Sequence, residues 1–346
     1  MIDLWIWLLP ITALAADALF GDPPGWPHPV RGIGWLAGRV EPPLRRLADR
    51  TPLPHATALR LAGISGVLLV AGISGLLAYA ACITPLAGVV AALYLSYAAL
   101  ALGALRHECA GVARSLEAGN LDDARRRLAW LVSRDTGHLD APGVYRALVE
   151  TLSENLNDGF IAPFFYLILG LALAPAGQTP ALALALLWLY KAISTLDSLW
   201  AYRTPRWEDF GKAAARADDV LAWVPARLTA LALLLAGSGL RARSVETGST
   251  FAQTWAGVRN DATLSESPNA GWPMAAAAWT LGLRLGGPAH YFGKPKDKPW
   301  FGPETSTECS WSPKRYAEID RLALYGALLA AAGLLAAGLL LRTLLN

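Results

Sequence analysis

Four ionisable residues recur at four-residue steps in one stretch of this chain: Arg146, Glu150, Glu154 and Asp158. At 3.6 residues per helical turn they form one slowly drifting polar stripe, flanked by Asn155 and Asn157. In a soluble protein such a stripe is ordinarily a solvated helix face with an Arg146–Glu150 pair. Here it runs directly into the apolar segment FFYLILGLALA, where ionisable groups are costly unless they face a cavity or a partner. The stripe therefore reads as part of an active site at a membrane surface. Asp140 is suited to cap this helix, and Pro142 is tolerated in its first turn.

Other clusters carry chemistry less specifically. Lys212 and Arg216 lie one turn apart and are followed by adjacent Asp218 and Asp219. Neighbouring carboxylates suit a divalent cation, and Mg²⁺ is the usual one where phosphates are handled; plain helix-surface charge explains them equally well. Arg134–Asp135–Thr136 sets a guanidinium fork beside an acid, a pairing that is usually a salt bridge. The loop GDPPGWPHPVR is stiffened by proline and holds Asp22, His28 and Arg31, either as a rigid cap on helix ends or as a site loop. Lys191, Ser194, Thr195, Asp197 and Ser198 cluster at a membrane exit, where capping residues also gather. SPNAGWP forms a turn that offers Asn269. GGPAHYFGKPKDKPWFG carries Lys294, Lys296 and Lys298 at alternate positions. It is not a P-loop, because Pro288 and Pro295 stand where Gly and Ser/Thr are required.

The elements that must position these groups follow from composition. The chain of 346 residues is 54% hydrophobic and only 16% charged, with a mean hydropathy of +0.35. A soluble domain is nearer a quarter charged, so the chain reads as an all-α, polytopic membrane protein. Apolar runs place spans at 4–20, 61–83, 86–105, 160–175, 180–193 and 322–341, with 228–240 as a buried or re-entrant helix. The whole, 1–346, reads as one membrane-embedded catalytic domain, with its first helix retained rather than cleaved as a signal peptide. Residues 21–60 hold six arginines, and 106–158 and 195–227 are also arginine-rich, whereas the turns at 84–85 and 175–180 carry no Lys or Arg. The positive-inside rule then sets the large polar regions in the cytoplasm, at the cell membrane. A net charge of +3 argues against nucleic-acid binding. Cys82, Cys109 and Cys309 are too far apart in sequence for a disulfide framework or a zinc site.

Taken together, the motifs name a family. GDPPGWPHPVR, RDT, VETLSENLNDGFIAP, YKAISTLDS, ARADDVLAWVPARL, SPNAGWP and LGGPAHYFGKPKDKPWFG, in this order, resemble the CobD/CbiB family of cobalamin biosynthesis from about residue 15 to 303. The resemblance implies adenosylcobinamide-phosphate synthase activity, a ligase reaction. Adenosylcobyric acid would be joined to (R)-1-amino-2-propanol or its O-phosphate, with ATP and a divalent metal. Such an amide bond needs carboxylate activation, implying an acyl phosphate, together with cations on phosphate and a base for the amine. On that basis Glu150, Glu154, Asp158, Asp218 and Asp219 are expected to hold Mg²⁺. Arg31, Arg134, Lys191, Arg216 and Lys294 are expected on phosphates, with Asp135 beside them. Asn155, Asp197 and Asn269 would orient substrate, and Trp26, Trp223, Trp272 and Trp300 could offer flat surface to the corrin, although interfacial anchoring suits most tryptophans.

The chain departs from the family pattern in three places: Ser194 and Ala222 where Asn is usual or frequent, and Ser265 where His is usual. A base is then expected from the remaining acids or from His28. Arg31, Glu154, Asp197, Asp219 and Asn269 are expected to line one cytoplasm-facing cavity. Membrane lipid is an expected partner, as are other late-stage cobalamin-assembly membrane enzymes. An AmpE-like membrane sensor and a corrinoid transporter are the alternatives, the latter disfavoured because the ionisable groups cluster at span ends.

Overall fold

The computed structural model describes residues 4–23, 25–175, 179–202, 204–241, 250–291, 293–304 and 311–345. Residues 176–178 of the expected turn and Cys309 lie outside them. Helices α1 (Leu8–Phe20), α2 (Pro29–Ala48), α3 (His55–Ala81), α4 (Pro85–Ala99), α5 (Leu102–Glu117) and α6 (Leu121–Leu128) come first. Then follow α7 (Ala141–Leu156), α8 (Ala162–Leu173), α9 (Ala181–Trp200), α10 (Lys212–Leu221), α11 (Trp223–Arg241), α12 (Phe251–Ala262) and α13 (Gly271–Leu281). Four short strands, β1 (Leu285–Gly286), β2 (Ala289–Tyr291), β3 (Lys294–Lys296) and β4 (Trp300–Phe301), precede the long α14 (Pro313–Leu345).

The fold is that of an all-α polytopic membrane protein. Among the described residues, five helical stretches are long and apolar enough to cross a bilayer: His55–Ala81, Leu86–Glu117, Ala141–Leu173, Ala181–Trp200 and Pro313–Leu345. The bent pair Lys212–Leu221 and Trp223–Gly239 would make a sixth, while Leu8–Phe20 is apolar but short. Most of these outrun the apolar runs that announce them. A helix does not stop where its hydrophobic residues stop, because polar residues continue the same backbone hydrogen bonding beyond the hydrocarbon. The Gly/Pro-rich stretch after α13, expected as a loop, instead forms two antiparallel ladders, β1 with β4 and β2 with β3.

The chain divides into two compact units. The first is Met1–Ala101, Ala162–Ala222 and Leu334–Asn346; the second is Leu102–Ile161 and Trp223–Gly333. Both are discontinuous, so no single cut in the sequence separates them.

In the first unit, α3 packs against α2, α9 and α10. Gly63 permits the approach of the segment that leads into α10, since a Cβ there would sit 2.0 Å from the Phe210 carbonyl oxygen. The basic stretch after α1, expected chiefly as an orientation signal, also clamps this segment. The Arg45 guanidinium donates to the Arg206 carbonyl at 2.7 Å and lies over the Trp207 and Phe210 rings. Arg206 in turn donates to buried Glu41 at 3.0 Å, and Arg60 pairs with Asp209 at 2.8 Å. The proline-rich loop is tied down as well. Tyr94 and Tyr97 donate their hydroxyls to the carbonyls of Pro27 and Gly21.

In the second unit, α5 and α6 pack on each other and on α7, while α11, α12 and α13 form a second group. A bidentate pair of Arg106 with Asp320, at 2.8 and 2.7 Å, joins α5 to α14.

Candidate active site

Helix α7 starts as its sequence dictates. The Asp140 carboxylate accepts the Gly143 N–H at 2.8 Å, and proline occupies the first turn. Most of the helix is buried, so its polar stripe must find partners within the protein.

Glu150 finds several. It is only 2% exposed. One oxygen accepts from the Arg134 guanidinium, and the other accepts the Gly286 N–H at 2.7 Å, with Arg146 Nε 3.9 Å away. Burial alone would lower the Arg134 pKa, but the charge of Glu150 and the shared hydrogen bond raise it. Through these contacts Glu150 ties the RDT segment and β1 to α7. Glu150 and Arg134, expected on metal and phosphate, are thus already engaged with each other.

The Gly286 contact depends on two glycines. Gly286 and Gly287 adopt φ of +85° and +78°, and a Cβ on Gly287 would lie 2.2 Å from the Trp300 ring. Trp300 is itself held between two guanidinium groups, Arg146 at 5.4 Å and Arg284 at 5.2 Å from its ring centre. Gly287→Ala is expected to destabilise the second unit by about 2–4 kcal/mol, combining left-handed strain with overpacking. Thermal unfolding of the detergent-solubilised chain against the unchanged protein checks this.

Asp135 performs the matching task for the other ladder. Its N–H donates to the His290 carbonyl at 2.9 Å, and its carboxylate accepts the Gly293 N–H at 2.7 Å. Thr136 donates to the Arg125 carbonyl at 3.0 Å. The RDT motif therefore fastens the two ladders against the start of α7. This brings His138 and His290 edge to face at 4.5 Å, a pair the motif reading passed over.

Glu154, one turn beyond Glu150, differs. It is half-buried, and its side chain makes no hydrogen bond or ion pair among the described residues. Its electrostatic neighbours are Asp158, Lys298, Glu150 and Arg134. Lys298 sits 4.8 Å from the Tyr291 ring centre and makes no ion pair among the described residues. The Asn155 amide donates to Thr151, to the carbonyl at 3.0 Å and the hydroxyl at 2.8 Å. Asp158 lies in a π-helical turn, Asn157–Ile161, that interrupts the regular helix. Such turns are frequent at functional sites. Asn157 locks this one, donating to Asp158 at 2.6 Å and accepting from the Thr229 hydroxyl at 3.0 Å.

The remaining residues of the second unit are distributed around this helix and the ladders. Asn269 is buried and accepts from Arg227 at 3.0 Å. Arg227 lies between the rings of Trp223 and Trp272, at 4.2 and 4.6 Å from their centres. Two of the tryptophans proposed as corrin surface thus stack on an arginine. Lys294 is exposed on β3, while Lys296 is paired with Glu266 at 2.9 Å. Asp261 accepts from Trp279 Nε1 and from the Gly302 N–H, each at 2.7 Å, and joins α12 to α13 and the end of β4. No motif singled out Asp261, because a lone acid on an amphipathic helix has no local signature.

The first unit holds the other candidates: His28, Arg31, Lys191, Asp197, Arg216, Asp218 and Asp219. His28 caps α2, its Nδ1 accepting the Val30 N–H at 3.3 Å with Nε2 3.7 Å from Asp22. Arg31 is exposed on the first turn of α2. Lys191 and Asp197 lie on α9, and Arg216, Asp218 and Asp219 on α10. Of the five residues expected to share one cavity, Glu154 and Asn269 belong to the second unit and the other three to the first.

Among the described residues, no group of three or more His, Cys, Asp or Glu side chains is gathered closely enough to hold a metal ion by itself. Mg²⁺ seldom needs such a cage, since it keeps several waters and takes one or two carboxylates beside substrate phosphates. Glu154 and Asp158 fit that requirement, being two carboxylates about one turn apart and in electrostatic reach of each other.

Residues 10–316 match the family model described as CobD/Cbib protein. A Geobacter metallireducens relative, "Cobalamin biosynthesis protein CobD", is 42% identical over 299 residues, covering 84% of this chain and 85% of the relative. A Klebsiella pneumoniae protein of the same name is 41% identical over 301 residues, with 84% and 85% covered. "Cobalamin biosynthesis protein CbiB" of Salmonella typhimurium is 37% identical over 298 residues, again with 84% and 85% covered. No solved structure matches the chain. The match across nearly the whole length, at these identities, makes this chain a member of the CobD/CbiB family.

Proposed function

We propose that the protein is the cobalamin-biosynthetic enzyme that joins adenosylcobyric acid to (R)-1-amino-2-propanol or its O-phosphate, in an ATP-dependent amide-forming reaction. The observation that carries this reading is Glu154, a half-buried carboxylate without a hydrogen-bond partner among the described residues, within electrostatic reach of Asp158 and Lys298 on a helix whose other acid is fully engaged. A membrane protein rarely keeps such a group without a use for it. When bound, Mg²⁺ would screen the phosphate charge of the activated carboxyl group, with Glu154 and Asp158 as its protein ligands. Alternatively, where Mg²⁺ is held by Asp158 and substrate phosphate, Glu154 would take a proton from the substrate ammonium, freeing the neutral amine to attack, and Lys298 and Lys294 would meet phosphate oxygens. The family resemblance further suggests Asp218 and Asp219 on α10 for cation, Lys191 and Arg31 for phosphate, and Asp197 for substrate. The RDT joint and the Gly286–Gly287 turn hold the ladders rather than touch substrate.

Purified protein incubated with adenosylcobyric acid, ATP, Mg²⁺ and either amine should release adenosylcobinamide or its phosphate. Absence of product with both amines overturns the reading. The arginine distribution further assigns the exposed loop at Trp130 to the cytoplasm of the cell membrane. A Trp130→Cys variant in intact cells should resist a membrane-impermeant thiol reagent until the cells are permeabilised.

A further inference from the structure

Within the first unit, α3 and α10 border an open-sided cavity of about 400 Å³ to which the proposed reaction assigns no role. Its walls are of two kinds. Ile64, Val67 and Leu68 of α3 give an apolar side, with Ile64 and Leu68 well exposed on a helix long enough to span the bilayer. Arg60, Lys212 and Arg216 give a cationic rim. Arg60 is partly neutralised by Asp209, but Lys212 and Arg216 are exposed and have no ion-pair partner among the described residues. At 100° per residue, Asp218 falls on the far side of α10 from these two cations, within electrostatic reach of Tyr166, whereas Asp219 falls on their side of the helix but does not line the cavity. Exposed Val220 extends the apolar edge one turn past Arg216.

We propose that this cavity is a binding site for an anionic phospholipid, with the phosphate held by Lys212, Arg216 and Arg60 and an acyl chain lying along Ile64 and Leu68. Charge and shape both favour this occupant. Two unpaired cations match a phosphodiester at the level of a span end, and basic pockets between membrane helices bind anionic headgroups. A soluble nucleotide is a poor match, because the lining offers three cations but otherwise hydrocarbon, with none of the backbone cradle that a polyphosphate requires. Gly63 contributes by letting the segment before α10 close on α3. Arg216, which the sequence suggests for nucleotide phosphate, thereby acquires a different ligand of the same chemistry.

The test uses the full-length chain, delipidated in detergent and titrated with phosphatidylglycerol or phosphatidylcholine, with bound lipid counted by native mass spectrometry. The wild type should retain phosphatidylglycerol selectively. Lys212→Ala/Arg216→Ala should weaken that binding by about 30-fold, two cations each acting at the membrane surface, and leave phosphatidylcholine unchanged. The charge-keeping Lys212→Arg/Arg216→Lys variant should bind as the wild type does. Equal retention of phosphatidylglycerol by the alanine variant overturns the proposal. Displacement of phosphatidylglycerol by millimolar inorganic phosphate or ATP also overturns it, since the occupant is then a free anion.

Discussion

Glu154→Gln should lower amide formation by about 10²–10⁴-fold, the usual contribution of a positioned acid–base group, while leaving insertion and thermal stability nearly unchanged. The stability half of this expectation follows from the contacts. The Glu154 carboxylate makes no hydrogen bond or ion pair among the described residues, so its neutralisation orphans nothing, and it lies within electrostatic reach of the like charges of Asp158 and Glu150. Substitutions outside a defined interaction usually stay within about 0.5 kcal/mol. Turnover of purified protein and its unfolding temperature, measured on one preparation, check both halves. Near-normal turnover would remove Glu154 from the chemistry. A loss of activity that Mg²⁺ titration restores would assign it to the metal, and one that only a shift in pH optimum accompanies would assign it to proton transfer.

Glu150→Ala should do the reverse of this and damage the fold first. It leaves the Arg134 guanidinium charged in a buried position and the Gly286 N–H without its acceptor. Removing one member of a buried pair costs about 3–5 kcal/mol, enough to deplete the folded protein in the membrane. The double substitution Arg134→Met/Glu150→Leu removes both charges and should recover much of that loss. Chemical denaturation of the single and double variants measures the difference. If Glu150→Ala is as stable as the wild type yet inactive, the pair is catalytic and the structural assignment fails. Two carboxylates one turn apart on one helix face are thus expected to give opposite phenotypes.

The distinction between these two acids was not legible in the sequence. The four-residue spacing placed Arg146, Glu150 and Glu154 on one face of α7, with Asp158 in the π-helical turn that follows, and Asp140 announced where the helix begins. Spacing of this kind fixes which side chains share a face because it depends only on helical geometry. It carries no information about which of them a distant segment will satisfy. Gly286 lies 136 residues from Glu150, and that hydrogen bond exists only because a pair of left-handed glycines turns the chain beside α7.

Local chemistry also determined the apolar spans, the capping of α7 and, through seven short motifs in order, the family. Each of these depends on residues close together in the chain or on bulk composition, which solvent and bilayer sort without reference to the rest of the fold. Tertiary structure alone decided the remainder. It made the Gly/Pro-rich stretch into two ladders and RDT into their fastening. It also made arginines of α2 and of the first turns of α3 a clamp on the segment leading into α10. Lys212 and Arg216 look like phosphate ligands in sequence, yet they stand on a cavity whose opposite wall is the hydrocarbon face of α3. A charge's role is set by what desolvates and pairs it, and in these cases that is chain folded in from far away.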